Sequence, residues 1–201
     1  MTGKIAGTML VCCFILLTGC GKKPENNPTT FTKADSLTDF YLLLQDSMLR
    51  SWNMMMNDDN QKIVSMHNLL QELMLLSSES DEQYAAYKNQ LDRLADMRYD
   101  RTSLAKPDIV EEYDFASNLL VNELVSLAES SPDFAYNRKM QQLVEHIRIA
   151  DQRVNVFREE YDAVTARYNA FIQANQSYLA DIAATDSMDV KPLFQMSSSS
   201  E

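Results

Sequence analysis

A regular apolar repeat between Met140 and Ile182 is the feature that most constrains what this chain can fold into. Apolar side chains recur there in a 3-4 pattern over six heptads, and charged residues such as Arg158 and Glu159 fall off the stripe. This repeat is typical of a long amphipathic helix packed along partner helices. At 1.5 Å per residue it predicts a helix of roughly 60 Å. The first core position holds Met140, Ile147, Val154, Tyr161, Tyr168, Asn175 and Ile182, and the second holds Leu143, Ala150, Phe157, Val164, Phe171 and Tyr178.

Glycine is confined to the start of the chain. All four glycines lie at or before residue 21, and the prolines fall where the apolar periodicity stops. A chain without glycine avoids the left-handed turns that hairpins need, so it favours long helices with few joints. A glycine-rich phosphate loop and a G-x-S-x-G nucleophile elbow are excluded after residue 21 for the same reason.

Apolar spacing predicts three further helices before the long one. In the first, the run Asn57-Asp58-Asp59-Asn60 predicts a strained, solvated kink, with two helices joined by a turn as the alternative. The fold class is therefore all-α, an elongated antiparallel bundle of three to four long helices. The middle two helices together match the long ones in length and could run as one broken leg. The predicted helices span about 36–77, 80–98, 107–130 and 132–185.

The first twenty residues have the layout of an export signal. Lys4 is followed by a short apolar run that ends in Leu17-Thr18-Gly19-Cys20. These last four residues resemble the bacterial lipobox, which implies cleavage before Cys20 and acylation of this cysteine, for example with palmitate. Several acyl chains would anchor the mature protein stably in a membrane. We expect residues 1–19 to be a lipoprotein signal peptide and residues 20–34 to be the acylated cysteine and a flexible tether. A plain secretory signal or a short anchor is the alternative.

Charge and cysteine usage fit an exported, disulfide-free domain. Cys12 and Cys13 leave with the signal and Cys20 carries lipid, so no cysteine remains for a disulfide. The net charge of −11 opposes binding to nucleic acid. Gly21 after the acylated cysteine resembles lipoproteins that are passed on to the outer membrane. We expect a lipid-anchored protein of the bacterial cell envelope, in the outer membrane and facing the periplasm.

Several short runs resemble the LemA family of membrane-attached helical-bundle proteins. They are Trp52 with the later Asn68-Leu69-Leu70, Ser131-Pro132-Asp133-Phe134, the charged run from Arg148 to Arg158, Tyr161-Asp162 with Tyr168-Asn169, and Lys191-Pro192-Leu193-Phe194. The resemblance covers about residues 45–195. It implies an all-helical, membrane-tethered domain without established enzymatic chemistry. We place the LemA-like bundle at residues 35–185 and a C-terminal tail at 186–201.

Six residues stand out as interaction or register positions. Asn175 is the one strongly polar residue of the repeat, a type that can fix helix register, and it is a candidate partner for the tyrosine hydroxyls. The six are Trp52, Asn68, Tyr161, Tyr168, Asn169 and Asn175.

These observations predict a scaffold or protein-interaction module of the envelope and no enzyme. The expected partners are the membrane, through the lipid on Cys20, and other envelope proteins. An oligomer is possible, and no cofactor is expected. Two histidines without an HExxH motif oppose a hydrolase. The alternative is a protein that binds a hydrophobic ligand or copper(I), with Met54-Met55-Met56 and His67 as soft-metal ligands. Against it, methionine is an ordinary core filler and consecutive residues face different sides of a helix.

Overall fold

The structure is a computed structural model that describes residues 32–76, 81–179 and 189–194. Within these ranges the chain forms α-helices, one short 3₁₀ helix and no strand, which confirms the all-α prediction. None of the helices is both long and apolar enough to cross a membrane, for the residues described. The helices are α1 (Lys33–Leu76), α2 (Asp81–Asp96), α3 (Pro107–Ser130) and α4 (Arg138–Leu179), and the 3₁₀ helix is Ser103–Ala105.

The contact between α1 and α4 is the longest in the fold. The two helices run antiparallel. Tyr41 near the start of α1 contacts Tyr168 late in α4, and Trp52, later in α1, contacts Tyr161, earlier in α4. With 44 residues, α1 is about 66 Å long. The predicted antiparallel bundle of long helices is therefore confirmed.

The shorter helices α2 and α3 lie side by side against one half of this pair. His67 of α1 lies 3.7 Å from Asp92 of α2, and Asp59 of α1 is bonded to Tyr113 of α3. Further contacts give the directions: Arg98, just after α2, donates to Asn60, and Lys62 donates to Ser117 of α3, so α2 is antiparallel and α3 parallel to α1. The prediction that α2 and α3 could form one broken leg is wrong. The chain reverses between them because the Asp100 carboxylate accepts hydrogen bonds from the following backbone and fixes a tight turn.

The other half of the α1–α4 pair forms a two-helix leg, residues 33–50 with residues 165–179. Its buried apolar cluster is separate from the main core, and its members come from α1 and α4. Among residues 32–76, 81–179 and 189–194, packing in this leg therefore depends on one helix–helix contact. The members are Tyr41, Leu44, Tyr168, Ile172 and Leu179, with Phe171 packed against them.

Residues 57–60 are an uninterrupted part of α1. One long first helix is confirmed, but both the solvated kink and the alternative of two helices are wrong. Asp58 and Asp59 are only 8% and 7% exposed. They are held inside because cationic side chains face them, Arg153 from α4 and Arg98 from the loop after α2. A sequence pattern cannot show such partners, since they come from distant parts of the chain.

The start of α4 is later than predicted. Residues 131–136 form a turn, and the helix begins at Arg138 instead of near Pro132. Asn137 is the N-cap, because its Oδ1 accepts a hydrogen bond from the backbone N–H of Met140 at 3.1 Å. The sequence prediction placed the helix start at Pro132 because proline suits a turn and the first turn of a helix equally well.

The first predicted row of α4 is largely buried, whereas the second is only half-buried beside a fully buried row one residue later. The half-buried members that pack against the core are Leu143, Phe157, Val164 and Phe171. Met140, Ile147, Tyr161 and Tyr168 are buried as predicted, whereas Tyr178 is exposed. The second buried row lies one residue later than predicted. Neighbouring positions on this helix face are only 100° apart, so the heptad pattern alone does not show which of the two is buried. The prediction that Arg158 lies off the stripe is wrong, since it is buried. The second row is Val144, Arg158, Thr165, Ile172 and Leu179, with Ala150 buried as predicted.

Several predictions concern residues outside the described ranges. They are the signal peptide, Cys20, the tether up to residue 31, the capping residue Ser80, the repeat position Ile182 and the end of the last helix near residue 185. Lys33 and Ala34, the last two residues of the predicted tether, belong to α1.

Candidate functional site

Charged side chains are buried where α1, α3 and α4 meet. Lys62 of α1 is 2% exposed. Its ammonium donates a hydrogen bond to Ser117 Oγ at 2.8 Å and lies 3.5 Å from both Asp59 and Asp151. A buried ammonium costs solvation free energy, which these partners on three helices offset. Lys62 therefore joins α1, α3 and α4 at one level of the bundle.

Asp59 is the second centre of this network. The Tyr113 hydroxyl donates to Asp59 Oδ2 at 2.6 Å, and Arg98 Nε lies 3.0 Å from the same oxygen. Burial raises the pKa of Tyr113, and the nearby Asp59 charge raises it further. The tyrosine thus stays protonated and serves as a hydrogen-bond donor.

Arg158 and Asp114 form a bidentate ion pair between α4 and α3. The guanidinium donates to both carboxylate oxygens, at 2.7 and 2.6 Å, and to the Tyr99 hydroxyl at 3.1 Å. Burial is the largest single effect on the pKa of Arg158 and lowers it, but the hydrogen bonds that Arg158 donates to Asp114 and the nearby Tyr99 and Asp114 charges together outweigh burial, so the net shift is upward. Paired N–H···O bonds of this kind fix orientation as well as charge.

An aromatic cage lies beside this ion pair and encloses the ring of Phe194. Trp52 stacks on that ring at 6.4 Å between centroids, and Tyr99 and Tyr161 meet it edge-on at 5.6 and 5.7 Å. The Arg158 guanidinium lies 4.9 Å from the same ring centre, within the range of a cation–π contact. We define the aromatic cage as Trp52, Tyr99, Tyr161 and Arg158.

Phe194 belongs to a non-helical segment, Asp189–Phe194, that we call the C-terminal strap. Asn169 of α4 binds its backbone twice: Oδ1 accepts from Lys191 N–H and Nδ2 donates to Lys191 C=O, both at 2.9 Å. Asp162 Oδ1 accepts from Phe194 N–H at 2.9 Å. The tail proposed for residues 186–201 thus includes a segment that packs against the bundle.

A cavity of about 460 Å³ opens beside the strap. Its floor carries Asp114 and Arg158, and Glu111 lies at its side. This volume and the mixture of apolar walls with a few polar groups are typical of ligand sites. The apolar walls are Leu104, Ala105, Pro107, Val110, Pro192, Leu193 and Phe194.

The structure brings together three of the six residues singled out in the sequence. Trp52 and Tyr161 belong to the aromatic cage, and Asn169 binds the strap. Tyr168 and Asn175 lie in the two-helix leg, where Asn175 Nδ2 donates to the Phe171 carbonyl of its own helix. Asn175 also has non-helical backbone angles, φ −121° and ψ 20°. Asn68 is half-buried on α1, away from the strap.

The charged members of the site were missed by the sequence analysis. Asp59, Lys62, Asp114 and Arg158 have the appearance of solvated residues in a helical repeat, because each has a counter-ion that is distant in the sequence. The sequence held one signal of its burial: Lys62 lies four residues before Met66 and one before Ile63, so it falls within the apolar stripe of α1.

The suggested soft-metal ligands do not converge. Met55 is buried in the core, Met54 is largely exposed, and His67 lies against Asp92. In the part of the chain that the structure describes, no three His, Cys, Asp or Glu side chains are grouped as metal ligands.

Replacing Asp59 should test the buried network. Asp59→Ala leaves Lys62 and Arg98 without their shared counter-ion, so we expect a loss of about 3 kcal/mol in the free energy of unfolding. Asp46→Ala is the matched control, since Asp46 lies in the same helix and pairs with Arg50 but has a 72% exposed side chain. The control should cost less than about 1 kcal/mol. Urea unfolding of both variants measures this, and equal losses would contradict a role for the buried network.

Two aspartates should give opposite pH dependences. Burial raises the pKa of Asp162 above its ordinary 3.8, against the effects of Phe194 N–H and Arg158. Hydrogen bonds from Thr102 and Ser103 lower the pKa of Asp100 below 3.8. A raised carboxyl pKa removes stability as pH rises through it, and a lowered one removes stability as pH falls through it.

Relative to the unsubstituted protein, Asp162→Asn should therefore gain stability as pH rises from about 4 to 7, and Asp100→Asn should lose it as pH rises from about 2 to 5. Urea midpoints across this pH range measure both trends. Trends of the same sign in the two variants would refute the assignment.

The comparisons with known proteins agree with this architecture. A family model described as the LemA family matches residues 79–201. No curated protein and no solved structure matches the chain. The matched region contains α2, α3, α4 and the strap, whereas Trp52 and Asn68 precede it. With more than half of its residues matched, the chain belongs to the LemA family.

Proposed function

We propose that this protein is a lipid-anchored protein-interaction module of the bacterial cell envelope, in the outer membrane and facing the periplasm. In this proposal Cys20 carries the lipid and residues 21–32 tether the bundle. The helices then present side faces to other envelope proteins, and no chemical step is involved. The lipobox-like run Leu17-Thr18-Gly19-Cys20 supports the anchor, and membership of the LemA family supports the helical module.

An exposed apolar band along the first half of α1 is the observation that carries the interaction role. Leu42, Leu43, Leu49 and Met54 lie along the outer side of α1 and are 54%, 59%, 40% and 46% exposed. Shallow depressions along this side share Leu43 and Leu49 in their walls, so the band is continuous. Contiguous exposed apolar surface rimmed by polar residues is typical of a binding face. We define the apolar band as these four residues.

The acidic rim of the band favours a protein partner over a lipid surface. Asp39 and Asp46 lie in the walls of the same depressions, with Arg50 as the one cation among those wall residues. An anionic membrane surface would repel this rim, whereas a protein can supply apolar and cationic groups together.

The alternative of a hydrophobic-ligand or copper(I) protein has less support. Met54 and Met55 face different sides of α1, one exposed and one buried. The cavity beside the strap has room for a small molecule, but its floor is the Arg158–Asp114 ion pair. That floor suits a ligand with polar groups better than a wholly apolar one.

Removal of the lipidation site tests the anchor. Cys20→Ala should move the protein from the membrane fraction to the soluble fraction, because the acylated side chain is then lost. Cys13→Ala, which lies in the preceding apolar run, is the matched control and should stay with the membrane. Fractionation of cells with immunodetection measures this. A Cys20→Ala protein that remains membrane-bound would overturn the anchor.

Photo-crosslinking tests the binding face. A photoreactive amino acid at Leu43 should capture a defined protein partner in intact cells. The same amino acid at Val156 of α4, which is equally exposed at 59%, should not. Mass spectrometry of the crosslinked products identifies the partner. Identical products from the two positions, or none from Leu43, would contradict a role for the apolar band.

A further inference from the structure

The C-terminal strap is held by contacts that do not depend on most of its side chains. Asn169 binds the backbone N–H and C=O of Lys191, and Asp162 binds the backbone N–H of Phe194. These two receptor side chains are seven residues apart, so they project from the same face of α4 about two helical turns apart. An amide that pairs with both backbone groups of one residue is a general device for holding an extended peptide.

We call the surface that holds the strap, made by Asp162, Asn169 and the aromatic cage, the groove. The aromatic cage places three rings and a guanidinium around the ring of Phe194. Aromatic pairs in such geometries contribute about 0.5–1.5 kcal/mol each beyond the area they bury. The groove therefore reads an extended backbone at Lys191 and an aromatic ring three residues later, at Phe194.

The strap does not fill this site. Lys191, Pro192, Leu193 and Phe194 are each only partly buried, and the preceding Val190 is 58% exposed. The cavity of about 460 Å³ lies directly against Pro192, Leu193 and Phe194. The strap is thus held by three backbone hydrogen bonds and one ring, with free volume beside it.

We propose that this groove is a peptide-binding site whose ligands are extended, proline-bearing segments of partner proteins with an aromatic residue two positions after the proline. The strap is its intramolecular occupant and competes with them. The proposal rests on the interaction role proposed above and assigns it a second surface, distinct from the apolar band. Because the strap is covalently joined to α4, its binding to the groove is intramolecular. A partner segment must therefore displace it.

The proposal predicts that loosening the strap exposes a binding site for its own sequence. The probe is a fluorescein-labelled peptide of residues 189–195, Asp-Val-Lys-Pro-Leu-Phe-Gln. Fluorescence anisotropy with the full-length chain in detergent should show saturable binding to Phe194→Ala. The unsubstituted chain should bind about tenfold more weakly or worse, because its own strap competes. A peptide with alanine in place of the phenylalanine should bind to neither.

Receptor variants show whether the bound peptide occupies the groove. In the Phe194→Ala background, Asn169→Ala should abolish peptide binding. Asn175→Ala should retain it, since Asn175 is on the same helix but donates to the Phe171 carbonyl of that helix. If circular dichroism shows that Phe194→Ala is unfolded, Lys191→Pro replaces it, because proline removes the N–H that Asn169 accepts while the cage and Phe194 stay intact.

Three results would overturn the proposal. These are a folded, strap-loosened chain that binds no peptide, equal binding of the alanine peptide, and equal binding by loosened and unsubstituted chains. Crosslinking of straps between copies in the unsubstituted chain would also refute the intramolecular occupant. Each of these leaves crosslinking from Leu43 unaffected, so failure of the groove and failure of the proposed interaction role can be distinguished.

Discussion

The antiparallel contact between α1 and α4 is the constraint on which the rest of the structure depends. Each helix exceeds 40 residues, and neither could bury its apolar stripe without the other. The hairpin of α2 and α3 then covers one half of this pair and completes a four-helix core there. The strap in turn lies on the surface that α1, α4 and the loop after α2 create together. The site is therefore a product of the long pair and its partial cover.

The buried charges set the register of this assembly. Lys62 meets residues of α3 and α4, Asp59 meets α3 and the loop, and Arg158 meets α3. A slide of one helix by a turn, about 5.4 Å, would separate several of these partners at once and leave charges unpaired in the interior. An apolar seam alone tolerates such slides better, since one leucine replaces another. Burial of the network thus costs solvation free energy, and it favours a single alignment of the helices.

The sequence reveals the parts of this fold that repeat, and conceals the parts that depend on distant partners. The absence of glycine after residue 21 and the heptads of α4 are sufficient to predict an all-helical bundle, because both are local features of the sequence. The same periodicity cannot distinguish Phe157 from Arg158 as the buried residue, since both lie toward the core face and the choice is made by Asp114 on α3. The run that contains Asp58 and Asp59 resembles a solvated helix break for the same reason, since its partners also lie on distant parts of the chain. The strap sequence Lys191–Phe194 was visible as a family-like motif, but its docking depends on Asn169, more than twenty residues earlier.

The uneven cover of the long pair has a mechanical consequence. Chain connectivity makes Lys33, the first residue of α1, the point where any pull from an anchored N-terminus enters the bundle. That point lies in the two-helix leg, whose small apolar cluster is shared between only two elements, whereas the aromatic cage and the charge network lie in the thicker half. In the anchored arrangement proposed above, tension between the membrane and a bound partner would separate the two helices of the leg one turn at a time before it reached the four-helix part. The leg would then yield while the strap and the surface that holds it keep their geometry.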